Sequence, residues 1–256
     1  MVSAAEAPSV PAALPWCSVA RLRTRAAFGF ALLFASAAAN AATEDIGERL
    51  AACAACHGKL GEGVHGAEYV PHLAGKPAGY LLEQLRHFRD GSRVNAQMTW
   101  LVRFMDDAYM EEIAAFYAAQ PPRTRAADTG AADLTDAMRT TAERLVTHGD
   151  PERNVPACTA CHGTALTGLE PGVPALVGLP AEYLIAQLGN WRNGIRHATA
   201  PDCMGEIARS LAPEDIRAVS EWLSQQSHPD GERPAPAGTL VPPRACGTLP
   251  HAEVAP

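Results

Sequence analysis

The stretch Cys53-Ala-Ala-Cys56-His57 returns later in the chain as Cys158-Thr-Ala-Cys161-His162. A Cys-x-x-Cys pair alone is typical of a zinc site or of a redox dithiol. The histidine that follows at once indicates instead the covalent attachment of haem c, because two thiols at this spacing reach the two vinyl groups while the histidine points at the iron. The two copies therefore predict two covalently bound haems c.

The sequence around the two motifs contains an internal repeat of one unit. Residues 71–82, PHLAGKPAGYLL, match residues 174–185, PALVGLPAEYLI, at an offset of 103 residues. The same offset joins Gln84-Leu85 to Gln187-Leu188 and Arg89-Asp90-Gly91 to Arg192-Asn193-Gly194. An internal repeat of this kind predicts two consecutive domains of similar structure.

Each unit shows three helical segments. The first leads into the cysteine motif, over 44–52 and 133–146; the second has an apolar helical stripe, as at Leu81, Leu82, Leu85 and Phe88; the third covers 107–119 and restarts near Pro213 in the second unit. Residues that favour strands never gather in alternating runs. We therefore predict an all-α fold of two tandem helical domains, each enclosing one haem c.

The composition of the sequence marks five segments. Residues 1–41 read as a cleavable signal peptide, because arginines at 21, 23 and 25 precede an apolar run that ends in Ala39-Asn40-Ala41. The run is too short for a membrane anchor, the alternative interpretation, which needs roughly 20 residues. We expect a first domain over 42–120, a linker over 121–132, a second domain over 133–226 and a Pro-rich tail over 227–256. Export would place the protein in the periplasm.

The sixth iron ligand can be a methionine, a histidine or nothing, and the repeat favours methionine. Met204 is the only methionine after His162, and Met98 precedes Ile113 by the same 15 residues that separate Met204 from Val219. We expect both at equivalent positions of the third helices, as axial ligands opposite His57 and His162. Met105 and Met110 have no methionine counterpart in the second unit, so packing in the core is the simpler interpretation for them.

The remaining cysteines and histidines receive structural interpretations. Cys203 and Cys246 are the two cysteines left after the haem motifs and the signal peptide are set aside. Because the periplasm is oxidising, we predict a disulfide between them that holds the tail near the second haem. The histidines outside the two motifs do not recur in the repeat, and we expect them at the surface: His65, His72, His87, His148, His197, His228 and His251.

The net charge of -7 excludes one class of partner. A nucleic-acid-binding protein needs a basic surface that displaces counterions from phosphates. An acidic protein with two haems is instead suited to a basic docking patch on a redox partner, and such an association weakens with salt.

With these motifs the chain resembles the dihaem cytochrome c4 family. The resemblance rests on residues 71–82, Arg89-Asp90-Gly91, Gln97-Met98-Thr99, 113–117 and 154–163, and it covers roughly residues 44–226. It implies two class I cytochrome c folds packed about a pseudo-twofold axis, with His57 and Met98 ligating one haem iron and His162 and Met204 the other. It also implies electron delivery to a terminal oxidase by a protein held loosely at the membrane.

Three functions agree with these features to different degrees. The leading hypothesis is a monomeric periplasmic carrier that moves single electrons from a quinol-oxidising complex to a terminal oxidase. The alternative is the cytochrome subunit of a periplasmic dehydrogenase, with the tail as a docking segment. A dihaem peroxidase would need a haem with an open sixth position, which paired methionines disfavour. We therefore expect no catalytic site.

Overall fold

Helices account for the regular secondary structure of the computed structural model, which describes residues 45–64, 69–123 and 134–249. The first domain contains α1 (Ile46–Arg49), α2 (Ala51–His57), α3 (Ala78–Asp90), α4 (Ala96–Val102) and α5 (Asp107–Ala119). The second contains α6 (Asp136–Thr147), a 3-10 turn (Pro151–Arg153), α7 (Thr159–His162), α8 (Ala181–Arg192), α9 (Cys203–Ser210) and α10 (Pro213–Ser224). Within the described ranges the only β pairing is by isolated bridges, so the all-α prediction is confirmed.

The expectation of three helices in each unit is wrong, because each methionine lies on a short helix of its own. In the first domain the Asn95 side chain caps α4 by accepting from the Met98 backbone N–H, and Asp106 caps a new helix by accepting from Tyr109. In the second domain Asp202 caps α9, which carries Met204 in its first turn. A capping side chain accepts a hydrogen bond from an otherwise unpaired backbone N–H group at a helix start, so each of these three residues begins a new helix.

The first predicted helix also differs from the observed one. The segment expected over 44–52 is divided into α1 and α2 at Leu50, which is 1% exposed and belongs to the core of the first domain. In the second domain Thr135 caps α6, which packs against α10 as α1 packs against α5 in the first, and α8 packs against α10 as α3 packs against α5. The predicted signal peptide, 1–41, and residues 124–133 of the linker region lie outside the described residues.

The tail packs along the second domain as far as it is described, over 227–249. Its Ala235 backbone N–H donates to the Gly168 carbonyl at 3.0 Å, and Arg244 donates to the carboxylate of Glu206 at 3.1 Å. Further along, Cys246 forms a disulfide with Cys203, and the two Cα atoms are 5.4 Å apart. The tail thereby reaches the first turn of α9, one residue before Met204.

In the described ranges no helix is both long enough and apolar enough to cross a membrane.

Candidate haem sites

The two motif histidines have the same surroundings. His57 Nδ1 donates to the Pro71 carbonyl at 2.8 Å, and His162 Nδ1 donates to the Pro174 carbonyl at 2.8 Å. Each histidine is 7% exposed, and burial lowers the pKa of both imidazoles. A neutral ring that donates from Nδ1 keeps its Nε2 lone pair for a metal, and the carbonyl fixes the orientation of the ring.

The four motif cysteines lie on the helices that carry these histidines. Cys53 and Cys56 are on α2, while Cys161 is on α7 and Cys158 is its N-cap residue. None of the four forms a disulfide. Burial raises the pKa of the Cys158 thiol to about 11, so this group is an uncharged thiol near neutral pH. Each domain therefore presents two thiols and one histidine within about one helical turn.

In the second domain the predicted site residues meet in one cavity. Cys158, Cys161, His162 and Met204 all line it, and the cavity together with the solvent space at its mouth measures about 1540 Å³. The rest of the wall is mainly apolar and comes from α6, α8, α9 and α10, with Leu145, Leu184, Leu188, Ile207, Val219 and Leu223 among the lining residues. An apolar cavity with a few convergent polar groups is typical of a cofactor site.

In the first domain the predicted residues converge on one face of α3. Cys53 and Met98 both pack on clusters that include Leu82, Leu85 and Met105. Met110 is 0% exposed and packs with Phe88 and Val102, as expected for a core methionine. Met98 and Met105 therefore pack against the same α3 side chains, Leu82 and Leu85, as Cys53.

One unsatisfied donor in the second cavity tests whether haem fits there. The Trp191 Nε1 atom is buried without a hydrogen-bond partner, and the Arg196 guanidinium stacks on the same ring at 3.7 Å. Both residues line the cavity that holds the motif cysteines. Buried donors ordinarily have acceptors, and a haem carries two carboxylates, so the donor set fits the group.

A buried polar cluster joins the two domains. Arg93 donates to the Gln84 side-chain oxygen at 2.9 Å and to the Tyr183 hydroxyl at 2.9 Å. Arg196 donates to the same Gln84 oxygen at 2.7 Å and to the Gln187 side-chain oxygen at 2.8 Å. Arg93 and Arg196 are equivalent in the repeat, as are Gln84 and Gln187. Contacts between equivalent residues are those of a twofold arrangement, and sequence reasoning missed this cluster.

A close backbone approach supports the same interface. The Tyr80 backbone N–H donates to the Pro171 carbonyl at 3.0 Å, so the start of α3 touches a loop of the second domain. A Cβ atom at Gly79 would lie 2.6 Å from that carbonyl oxygen, which only glycine avoids. The equivalent residue in the second unit is Glu182, so the two units are not interchangeable here.

The surface expectation for the other histidines is wrong for three of them. His72, His87 and His228 are 3%, 6% and 3% exposed. Segments that are distant in sequence meet at these residues: His87 lies 3.4 Å from the Thr199 hydroxyl of the second domain, and His228 of the tail acts electrostatically on His72. Within its own loop, His72 lies 3.4 Å from Lys76 Nζ. His148 and His197 are exposed as expected, and His65 and His251 lie outside the described residues.

Paired Cys-x-x-Cys-His motifs with buried, carbonyl-oriented histidines define a c-type cytochrome, and comparisons with known proteins agree. A cytochrome c family model matches residues 45–139. The "thiosulfate dehydrogenase electron acceptor" of Stutzerimonas stutzeri is 40% identical over 173 residues, which cover 68% of this chain and 78% of that protein. Cytochrome c4 of Pseudomonas aeruginosa is 33% identical over 177 residues, covering 68% and 84%.

Solved structures give the same result. Cytochrome c4 from Pseudomonas stutzeri matches with a TM-score of 0.59 and 31% identity, covering 70% of this chain and 95% of that one. A thiosulfate dehydrogenase from Marichromatium purpuratum matches with a TM-score of 0.60 and 33% identity, and the match spans only 36% of that longer chain. The chain belongs to the cytochrome c4 family. It is a dihaem c-type cytochrome that transfers electrons, with the two-domain fold that the sequence predicts.

Proposed function

We propose that this cytochrome accepts single electrons from a periplasmic dehydrogenase, with a thiosulfate dehydrogenase as the candidate donor, and passes them on towards a terminal oxidase. The observation that carries the proposal is the identity of 40% and 38% to two proteins named as electron acceptors of thiosulfate dehydrogenase. The cytochromes c4 that it matches are 32–34% identical. The proposed donor is the kind of enzyme named in the dehydrogenase alternative above, whereas the role of a carrier towards a terminal oxidase is that of the leading hypothesis.

We assign His57 and Met98 to the first haem iron and His162 and Met204 to the second. When bound, haem c supplies a reversible one-electron centre. The Pro71 and Pro174 carbonyls orient the two imidazoles. Met98 and Met204 would each supply a thioether ligand to a haem iron, and thioether ligation would favour the reduced state. This ligand set supports a carrier without a catalytic site.

The interdomain cluster suits transfer between the two haems. Arg93 and Arg196 hold equivalent parts of both domains together through Gln84, at 2.9 Å and 2.7 Å. A fixed interface keeps the distance between two redox centres constant, so an electron received by one domain can leave from the other. Two centres also let one molecule hold both electrons of a two-electron oxidation.

The proposed location is the periplasm. The Cys203–Cys246 disulfide supports an oxidising compartment, in which such bonds form and persist. We also propose a signal peptide over 1–41, domains over 42–120 and 133–226, a linker over 121–132 and a tail over 227–256. The mature N-terminus, read by mass spectrometry of the exported protein, tests the cleavage site.

A second donor is supported by a different set of relatives. Cytochrome c4 of Pseudomonas aeruginosa is matched over 84% of its length, and a quinol-oxidising complex is the donor in the leading hypothesis above. With either donor, a protein that shuttles electrons is expected to purify as a free monomer. Co-purification with a dehydrogenase in fixed stoichiometry would instead indicate a dedicated subunit.

Stopped-flow reduction separates the two donors. Oxidised holoprotein is mixed either with a purified thiosulfate dehydrogenase and thiosulfate, or with a quinol-oxidising complex and quinol, and the haem absorbance is followed. We expect saturable reduction by the first pair that slows with added salt, because the chain is acidic. Thiosulfate without enzyme is the control. Fast reduction by the quinol system alone would contradict the proposed donor.

A further inference from the structure

Lys76 is a buried cation of the first domain that contacts the second. It lies in the loop between Pro71 and α3 and is 4% exposed. Its Nζ donates to the Ala175 carbonyl of the second domain at 3.3 Å and lies 3.4 Å from His72 Nε2. Ala175 directly follows Pro174, whose carbonyl orients His162. The ammonium group therefore reaches the loop that positions the proximal histidine of the other domain.

The side chain also lines the second haem cavity, together with Cys158, His162 and Met204. Lys76 is therefore a positively charged residue of the first domain that lies at the haem site of the second domain.

No acidic group in the described part of the chain forms an ion pair with Lys76. Its two polar partners are a backbone carbonyl and His72, whose pKa is lowered by burial, by Lys76, by Arg123 and by His228. Burial lowers the pKa of Lys76 itself to about 7. The described protein groups around it are thus neutral or positive, so no Asp or Glu side chain among them cancels its charge.

Comparison of the two units shows that only the first has a lysine at this position. Lys76 corresponds to Leu179 and His72 corresponds to Ala175, so the second domain has no cation at the equivalent place. The chain contains two lysines, Lys76 and the exposed Lys59. The electrostatic surroundings of the two haems therefore differ at this position, although their ligand sets are the same.

We propose that Lys76 raises the reduction potential of the second haem across the domain interface and so biases a single electron towards that haem. Ferric iron carries one more positive charge than ferrous iron, and a buried cation nearby disfavours the ferric state more strongly than it would in water. The inference rests on the ligand assignment and carrier role proposed above. In a half-reduced molecule the electron would then rest on the second domain, from which it leaves.

Spectroelectrochemical titration at pH 6, where Lys76 is protonated, tests the proposal. The Met98→His and Met204→His variants first assign each reduction wave to its haem. Lys76→Gln keeps a donor for the Ala175 carbonyl but removes the charge, Lys76→Arg keeps the charge, and Lys59→Gln removes an exposed charge. We expect Lys76→Gln to lower the reduction equilibrium constant of the second haem about tenfold, which is 59 mV for a one-electron couple. Lys76→Arg and Lys59→Gln should leave it nearly unchanged.

The outcomes separate this proposal from the ligand assignment. If the methionine variants move their separate waves but Lys76→Gln moves neither, or moves both equally, Lys76 does not tune the second haem. A shift of the same size in Lys59→Gln would reduce the effect to net charge and overturn the proposal as well. If neither methionine variant moves a wave, the ligand assignment itself fails.

Discussion

Arg93 and Arg196 donate hydrogen bonds to the same oxygen atom of Gln84, at 2.9 Å and 2.7 Å. The two arginines occupy equivalent positions of the repeat, 7% and 4% exposed, and Arg196 interacts unfavourably with Arg93 because both are positive. A neutral amide oxygen between two buried guanidinium groups therefore stabilises an interface that would otherwise bring like charges together.

Replacement of Gln84 by leucine removes that acceptor. Hydrogen bonds to charged groups contribute about 1.5–3 kcal/mol each, so we expect Gln84→Leu to lower the free energy of unfolding by roughly 3 kcal/mol. Denaturant unfolding of the holoprotein, followed by haem absorbance and tryptophan fluorescence, measures the change. Gln97→Leu, at an exposed position of α4, is the matched control. A loss no larger than that of the control would show that the cluster does not hold the domains.

The disulfide between Cys203 and Cys246 should stabilise the second domain and its tail. The bond closes a segment with a sequence separation of 43 residues. The chain-entropy model for a loop of this length gives about 4 kcal/mol. We expect Cys203→Ser with Cys246→Ser to lower the unfolding midpoint of the second domain, and a dithiol reductant to have the same effect on the wild type but none on the double variant.

A thiol count provides the chemical check on the same bond. Denatured, unreduced holoprotein should contain no reactive thiol among the mature cysteines, because four are bonded to haem and two to each other. Two reactive thiols per chain would contradict the disulfide.

The stability of the protein should depend on pH through Lys76. Burial lowers the pKa of Lys76 from 10.5 to about 7 in the folded chain. Between these two values the unfolded chain binds more protons at this site, so the free energy of unfolding rises with pH across the window. We expect this slope between pH 7 and about 10 to be smaller in Lys76→Leu than in the wild type. Lys59→Leu should keep the wild-type slope, and equal slopes in all three proteins would be incompatible with a lysine buried in this way.

The sequence predicts the parts of the site that are local or repeated. The cysteine and histidine motifs are local, and the equal spacing of 15 residues before Ile113 and Val219 selects Met98 and Met204 as candidates. The starts of α5 and α10 agree with the predicted starts at 107 and near Pro213. The short helices α4 and α9 were not predicted, although Asn95 and Asp202 are residue types that cap helices.

The interface could not be predicted in the same way. Arg93 and Arg196 are related by the same offset of 103 residues, yet a repeat indicates only that two positions are alike, not that they touch. Lys76 and His72 are not repeated at all, because the equivalent positions of the second unit hold Leu179 and Ala175. Their burial depends on how the domains pack together, which neither periodicity nor motif spacing reports.

The long-wavelength sulfur-to-iron absorption band of the fully oxidised holoprotein tests the central claim, that two closed His/Met haem sites make this protein a one-electron relay. Thioether ligation at both irons predicts that Met98→His and Met204→His each remove about half of the band intensity and that the double variant removes all of it. Both single variants should retain two covalently bound haems by mass spectrometry. A band of unchanged intensity in either single variant would contradict the account.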